Sequence, residues 1–364
     1  MTNTPHAYDR STLDADLKAI HAKGVPGLLA AAHTGRELLT ARCGSADRAC
    51  DRPIAYDSHF RMGSTGKTFT ATVVLQLVGE GRLSLDDTVE DWLPGVVRGN
   101  GNDGTKITVG RLLQQTSGLP EYMYDFPMWT AKDFLEHRYD SCTSEELVAM
   151  AMRHEPKWLP EPGDERWNYS NTNYVLAGMI IEKVTGNPRS QELRNRIIRP
   201  LGLDHTFAPG ADPRLPDPHP LGYTDFPDSA EPVETTEMNT ARFDAAGDLI
   251  TTASDLVRFW QALLGGELLK PAQLAAMKQT VPATEWAPIW PGARYGLGIA
   301  QYPSPCGPYW GHAGNTLGHT AHSGFTENGH RGMVLFTTLW APNEHALPIE
   351  KLVIDAMDHL MCAS

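Results

Sequence analysis

The sequence has no long hydrophobic run. No apolar stretch approaches the ~18 residues that a membrane-spanning helix needs, so none is expected. The N-terminal stretch "MTNTPHAYDRSTLDADLKAIHAKG" is polar and lacks the apolar centre of a secretory signal. Read as written, this predicts a cytoplasmic protein, or a secreted one if a leader has been removed. Positive charge is also short: 31 Lys and Arg stand against 44 Asp and Glu, a net charge of −13. Such a surface repels phosphate, so neither nucleic acid nor an anionic membrane is expected as a partner. Cysteine is scarce and odd in number, with five in 364 residues and no C-x-x-C pair, so dithiol redox or zinc chemistry is not indicated. Cys43 and Cys50 flank a turn, and Cys306 and Cys362 are candidates for a disulfide, which pulls against a cytoplasmic home. No repeat and no low-complexity tract occurs.

What remains is the composition of an ordinary globular chain, long enough for one large domain or two closely packed ones. The spacing predicts an amphipathic helix from Ser11 to Ala22 with Ser11 as N-cap, then two strands joined at Thr34-Gly35-Arg36. A long apolar helix follows Ser64 and ends at Gly81. More helices are predicted at Val109–Gln115, Ser144–Arg153, Asn173–Thr185, Gln191–Ile198, Ser254–Leu264, Pro271–Lys278 and Ile349–Leu360. The segments "RYGLGIAQY", "YWGHAG" and "GMVLFTTLW" read as strands. Strand signal therefore sits at both ends and helix in the middle. This predicts an α+β protein: residues 1–62 and 249–364 form a domain with an antiparallel sheet, 63–248 form a mainly helical one, and the site lies between them.

Three groups of residues carry chemistry. Ser64-Thr65-Gly66-Lys67 places a hydroxyl and an amine one helical turn apart, on one face. The amine can take the hydroxyl proton only when neutral, which requires burial or a nearby cation to lower its pKa far below ~10.4. At a helix start, the Ser64 N–H also points toward a developing oxyanion. Tyr169-Ser170-Asn171 precedes an apolar helix. Tyr169 is a candidate acid or base, and Asn171 offers a donor and an acceptor for a substrate amide. His312-Ala313-Gly314 supplies a basic residue, and Gly314 lets a substrate backbone come close. The next N–H, on Asn315, is a candidate second oxyanion donor. Two look-alikes compete with it. His33-Thr34-Gly35 falls in the predicted hairpin turn, and His322-Ser323-Gly324 falls on or near the following strand. A metal reading of His312, His319, His322 and His330 lacks both a two-histidine helix spacing and a nearby Asp, so no metal is expected.

Taken together, Ser-x-x-Lys, then Tyr-x-Asn about a hundred residues on, then basic-small-Gly near the C-terminus, resembles the serine penicillin-recognising family. That family includes class C β-lactamases, serine DD-carboxypeptidases, D-aminopeptidases, D-amino-acid amidases and esterases. "FRMGSTGKTFTATVVLQLVGEGRLSLDDTVEDWLPG", "ITVGRLLQQTSGLPEY", "YSNTNYVLAGMIIEKVTG" and "DAAGDLITTASDLVRFWQALLGG" are similar to its segments. The resemblance implies a cofactor-free hydrolase in which Ser64 is acylated. Lys67 and Tyr169 would relay protons, Asn171 would bind the substrate amide, and His312 would take the place of the family's Lys or His. Gly311 before the triplet and Gly318 after it fit the family's strand, which favours His312-Ala313-Gly314 over its rivals.

Two departures narrow the expected substrate. The middle of the triplet is Ala313, where the family usually has Thr or Ser. The segment "GLGIAQYPSPCG" also lacks the carboxylate-gripping arginine of the carboxypeptidases. A carboxylate without such donors loses about 1.5–3 kcal/mol per bond. The expectation is therefore a D-amino-acid amide or D-residue peptide, with a free α-amino group received by Asp125, Glu121 or Asp248. A D-Ala-D-Ala carboxypeptidase or β-lactamase-like esterase, an acyl or peptidyl transferase, and a non-catalytic sensor are the alternatives.

Overall fold

One antiparallel sheet takes its strands from both ends of the sequence. The computed structural model describes residues 7–341 and 345–363; residues 1–6, which begin the polar N-terminal stretch, lie outside these. The chain opens with α1 (Arg10–His21), then the hairpin β1 (Gly27–Thr34) and β2 (Leu38–Gly44). The N-cap of α1 is Asp9, not Ser11. Its carboxylate accepts from the Thr12 N–H and from the Ser11 hydroxyl, more acceptor capacity than a serine has. The remaining strands of this sheet are β3 (Val281–Pro282), β4 (Arg294–Tyr295), β5 (Ala300–Tyr302), β6 (Tyr309–Gly311), β7 (Gly314–Thr316), β8 (His319–Phe325) and β9 (Arg331–Thr337). They pair in the order β2-β1-β9-β8-β6-β5-β4-β3, with β7 also on β8. Asn315 stands opposite Thr320 in the β7–β8 pair.

The sheet is covered on both faces, which is why β1 is a continuous apolar run rather than an alternating one. Leu28, Ala30 and Ala32 pack with Leu13, Leu17 and Ile20 of α1 and with Val353 and Leu360 of α5 (Ala346–Met361). Leu29 and Ala31 face the other way, into a second core shared with Leu256, Phe259 and Trp260 of α4 (Ala253–Leu264). That second core continues into the helical middle of the chain, where α2 (Gly66–Gly79) and α3 (Thr172–Thr185) lie side by side. Nearly every residue of α2 from Gly66 to Leu77 is buried. It stops at Gly79, two residues earlier than expected, and Gly81 turns the chain with φ +72°. The Gln191 helix starts at Arg189 and widens into a π-turn over Arg194–Ile198. Cys306, after β5, is bonded to Cys362, at the end of α5, and so ties that helix to the sheet. No helix among the described residues is long and apolar enough to cross a membrane.

Candidate active site

Ser64 sits in a single 3₁₀ turn, Gly63–Thr65, that leads directly into α2. The turn is wedged against β7. Gly63 has φ +51°, and a Cβ there would meet the backbone of Asn315 at 2.6 Å. A Cβ on Gly314 would meet the Met62 carbonyl at 2.0 Å and the Ser64 nitrogen at 2.8 Å. Only two facing glycines allow this approach, and it brings Ser64 beside Asn315. Both line a cavity of about 210 Å³. Its other walls are Asn171, Thr316, the Ala246-Gly247 backbone segment and an apolar set: Met123, Met128, Trp129, Phe243, Leu317 and Trp340.

One turn after Ser64, at the start of α2, Lys67 is fully buried. Its Nζ lies 3.0 Å from Ser64 Oγ, 2.6 Å from Asn171 Oδ1 and 2.8 Å from the Ala246 carbonyl. Burial lowers its pKa from the ordinary lysine value to about 7, and the negative charge of Glu121 opposes that drop. Glu121 is reached through Asn171: its Oε2 accepts from the Asn171 N–H at 2.6 Å and from Nδ2 at 3.0 Å. A relay Ser64–Lys67–Asn171–Glu121 results. The Ala246 carbonyl is fixed from behind. Thr70 Oγ1 donates to Ala245 O at 3.0 Å, and the buried Arg189–Asp248 ion pair holds the chain just beyond.

Tyr169 lies across the amine, with Lys67 Nζ 4.9 Å from its ring centre. Burial, and next Tyr295, push its phenol pKa well above the usual tyrosine range, although a hydrogen bond with Ser64 pulls the other way. Tyr169 is therefore a protonated phenol at neutral pH. Its backbone N–H donates to Glu285 Oε2 at 3.0 Å, and Lys157 holds the other oxygen of Glu285 at 2.7 Å.

His312 is placed differently from the expectation. Its side chain is fully buried and does not line the cavity. Nδ1 faces the Ala313 carbonyl and so carries the proton, which leaves Nε2 to accept from the Tyr295 hydroxyl at 2.9 Å. Burial, and next the charge of Lys67, lower its pKa to about 3, so it is neutral. His312 meets Tyr169 through Tyr295, whose ring lies edge-on to both, and through Trp286. Asn171 also differs: its amide oxygen already holds Lys67 and its amide nitrogen holds Glu121.

The other candidates separate. His33 is on the β1–β2 hairpin, where Gly35 has φ +90°. His322 is in β8, His319 packs on Phe60, and His330 is in an exposed turn. Among the described residues no group of His, Cys, Asp and Glu is arranged to hold a metal. Asp248 pairs with Arg189 and Asp125 lies against His154, and none of the three carboxylates lines the cavity; Glu121 touches its wall through Asn171. Glu121 and the Ala246 carbonyl lie inside segments that the resemblance covers, but no residue type announces their contacts.

Known proteins share this arrangement of elements. The chain is 42% identical to a D-stereospecific amidohydrolase from Streptomyces sp., with a TM-score of 0.86 over 96% of this chain and 98% of that one. It is 30% identical to the D-amino acid amidase of Ochrobactrum anthropi SV3 in its complex with L-phenylalanine amide, with a TM-score of 0.82 over 96% of each. It is 31% identical to "Penicillin-binding protein 4" of Amycolatopsis lactamdurans, over 87% of this chain and 81% of that one. The Beta-lactamase family model matches residues 13–357, which takes in both the turn that carries Ser64 and the strand that carries Asn315, and the chain belongs to that family.

Proposed function

We propose that this protein is a serine hydrolase that works through an acyl-enzyme on Ser64, with D-amino-acid amides or D-residue peptides as substrates. The observation that carries the reading is the buried Lys67 amine, 3.0 Å from Ser64 Oγ. A neutral lysine has two N–H bonds and one lone pair. Asn171 Oδ1 and the Ala246 carbonyl take the two N–H bonds, so the lone pair is left for the Ser64 hydroxyl. Ser64 attacks the substrate carbonyl as its proton passes to Lys67, and the resulting ammonium keeps three acceptors. The N–H groups of Ser64 and Asn315 receive the oxyanion.

Tyr169 enters as an acid. Burial keeps its proton on until the departing nitrogen needs it, and Lys67 returns one. His312 is a positioning residue that orients Tyr295 behind Tyr169. The apolar cavity suits an uncharged side chain. The methyl of Ala313 and the absence of Lys or Arg from 296–307 leave no charged grip for a free carboxylate. Likeness to the Streptomyces amidohydrolase and the Ochrobactrum amidase supports the D-amino-acid reading.

Intact-mass analysis after a fluorophosphonate tests the acyl-enzyme. One adduct is expected on the native protein and none on Ser64→Ala. Labelling that survives in Ser64→Ala places the nucleophile elsewhere. Equal turnover of D- and L-phenylalanine amide removes the stereochemical part.

A further inference from the structure

A second groove, of about 730 Å³, opens beside the first and shares Asn315 and Trp340 with it. Trp286 and Trp290 line it together with residues of β8 and β9 and the first turns of α5. Trp286 also packs on Tyr169, with ring centres 5.5 Å apart. The groove therefore begins on the phenol side of the site, where a departing nitrogen must collect its proton. Asn171 and Phe243 belong to the other cavity.

Of the polar side chains that line this groove, Thr320 and Thr337 already donate to the Leu339 carbonyl, and His322 and Glu350 face each other. His322 is 5% exposed, and its Nε2 is 3.6 Å from Glu350 Oε1, which is too long for a hydrogen bond. Among the described residues neither His322 Nε2 nor Glu350 Oε2 has a hydrogen-bond partner. Buried polar atoms without partners are costly, so this pair is set up for a ligand. Both atoms can accept, and among the described residues no Lys or Arg lines the groove. Ala313, beside His322 around a small adjoining cavity, adds no side-chain donor. The site therefore favours a cation with an apolar body that can lie along indole rings.

We propose that this groove is the subsite for the amine half of the reaction, and that it selects amines bearing a second, positively charged amino group that pairs with Glu350 and His322. The inference rests on the acyl-enzyme reading above. In the forward step the Ser64 Oγ–C bond forms first, giving the oxyanion, and the amide C–N bond breaks as the carbonyl re-forms. The Ser64 proton goes to Lys67, and a proton from Tyr169 goes to the departing nitrogen. An accepting amine bound in the same groove reverses these transfers.

Binding and kinetics test it separately. In Ser64→Ala protein, calorimetry compares 1,4-bis(aminomethyl)benzene with its uncharged analogue 1,4-bis(hydroxymethyl)benzene. The diamine is expected to bind about tenfold tighter or better, the effect of one charge-assisted contact, and Glu350→Gln in that background abolishes the preference. Equal affinity for the two ligands overturns the inference, as does a preference that survives Glu350→Gln. In protein with Ser64 intact, D-phenylalanine anilides carrying a para-aminomethyl or a para-methyl group are compared by kcat/KM. The ratio is expected near ten, and near one in Glu350→Gln. A native ratio of one also overturns it. A protein that keeps the diamine preference but takes no label at Ser64 refutes the acyl-enzyme reading and leaves the groove as an amine site.

Discussion

Lys67 Nζ lies 3.0 Å from Ser64 Oγ, and its other two contacts are carbonyl-type oxygens that can only accept. The protonation state of one amine therefore decides whether Ser64 has a base. Burial brings that amine to about 7, and Glu121 is the charge that resists. Below about 7 Lys67 is an ammonium with no lone pair; above it the amine is free. For a D-amino-acid amide, kcat/KM should rise with pH through about 7. Glu121→Gln removes the negative charge that favours the ammonium, so the acidic limb should move to lower pH. A limb that moves up, or stays in place, contradicts this electrostatic account.

Tyr169 gives a second prediction, because its role depends on the leaving group. Burial outweighs the hydrogen bond with Ser64 and keeps the phenol protonated. An amide nitrogen must be protonated as it leaves, whereas an activated phenyl ester departs as a stable anion. Tyr169→Phe should lower kcat/KM for a D-amino-acid amide by about 10²–10⁴, the usual worth of general acid catalysis. The p-nitrophenyl ester of the same acyl group should fall far less. Equal losses on the two substrates would mean that Tyr169 acts as the base for Ser64 instead.

The contrast between these residues shows what a sequence can carry. Ser64 and Lys67 are legible because a hydroxyl and an amine at helical spacing occur together with Tyr-x-Asn and basic-small-Gly further on; the pair alone is as well explained by a capping serine and a solvated lysine. The hairpin at Gly35 is legible because backbone geometry demands glycine there. Ser11 and Asp9 are both competent caps two residues apart, so composition alone does not choose between them. The direction of the Tyr169 shift is a contest between burial and charge, and burial is a property of the fold. His312 shows the same limit. Its place in the strand follows from the flanking glycines, but its neutral, inward-facing ring follows from packing against Tyr295 and Trp286. The Ala246 carbonyl is invisible in principle, since every residue has one.

The Cys306–Cys362 bond yields a prediction about stability. It closes a loop of 56 residues and anchors α5 to the sheet. Cross-linking a loop of that length restricts the unfolded chain and contributes on the order of 2–4 kcal/mol. Cys362→Ser should lower the urea midpoint accordingly, and dithiothreitol should bring the native protein to the same value. Alkylation of the denatured, unreduced chain should find three thiols, those of Cys43, Cys50 and Cys142. Five thiols would show that the bond does not form.

Gly314 tests the geometry of the site with the smallest change available. One methyl group there points at the Met62 carbonyl and the Ser64 nitrogen, both closer than any real Cβ contact. The atoms it meets are backbone, so no side chain can swing aside, and the turn itself must move. Overpacking of this kind costs about 1–3 kcal/mol. The same displacement misaligns the Ser64 N–H, and loss of one oxyanion donor lowers turnover by about 10²–10³. Gly314→Ala should therefore remain folded, with a lower urea midpoint, and lose at least about a hundredfold in acylation by a D-amino-acid ester. A stable variant with full acylation rate would mean that the strand retreats without disturbing Ser64, and the close fit between the two glycine backbones would then have no part in catalysis.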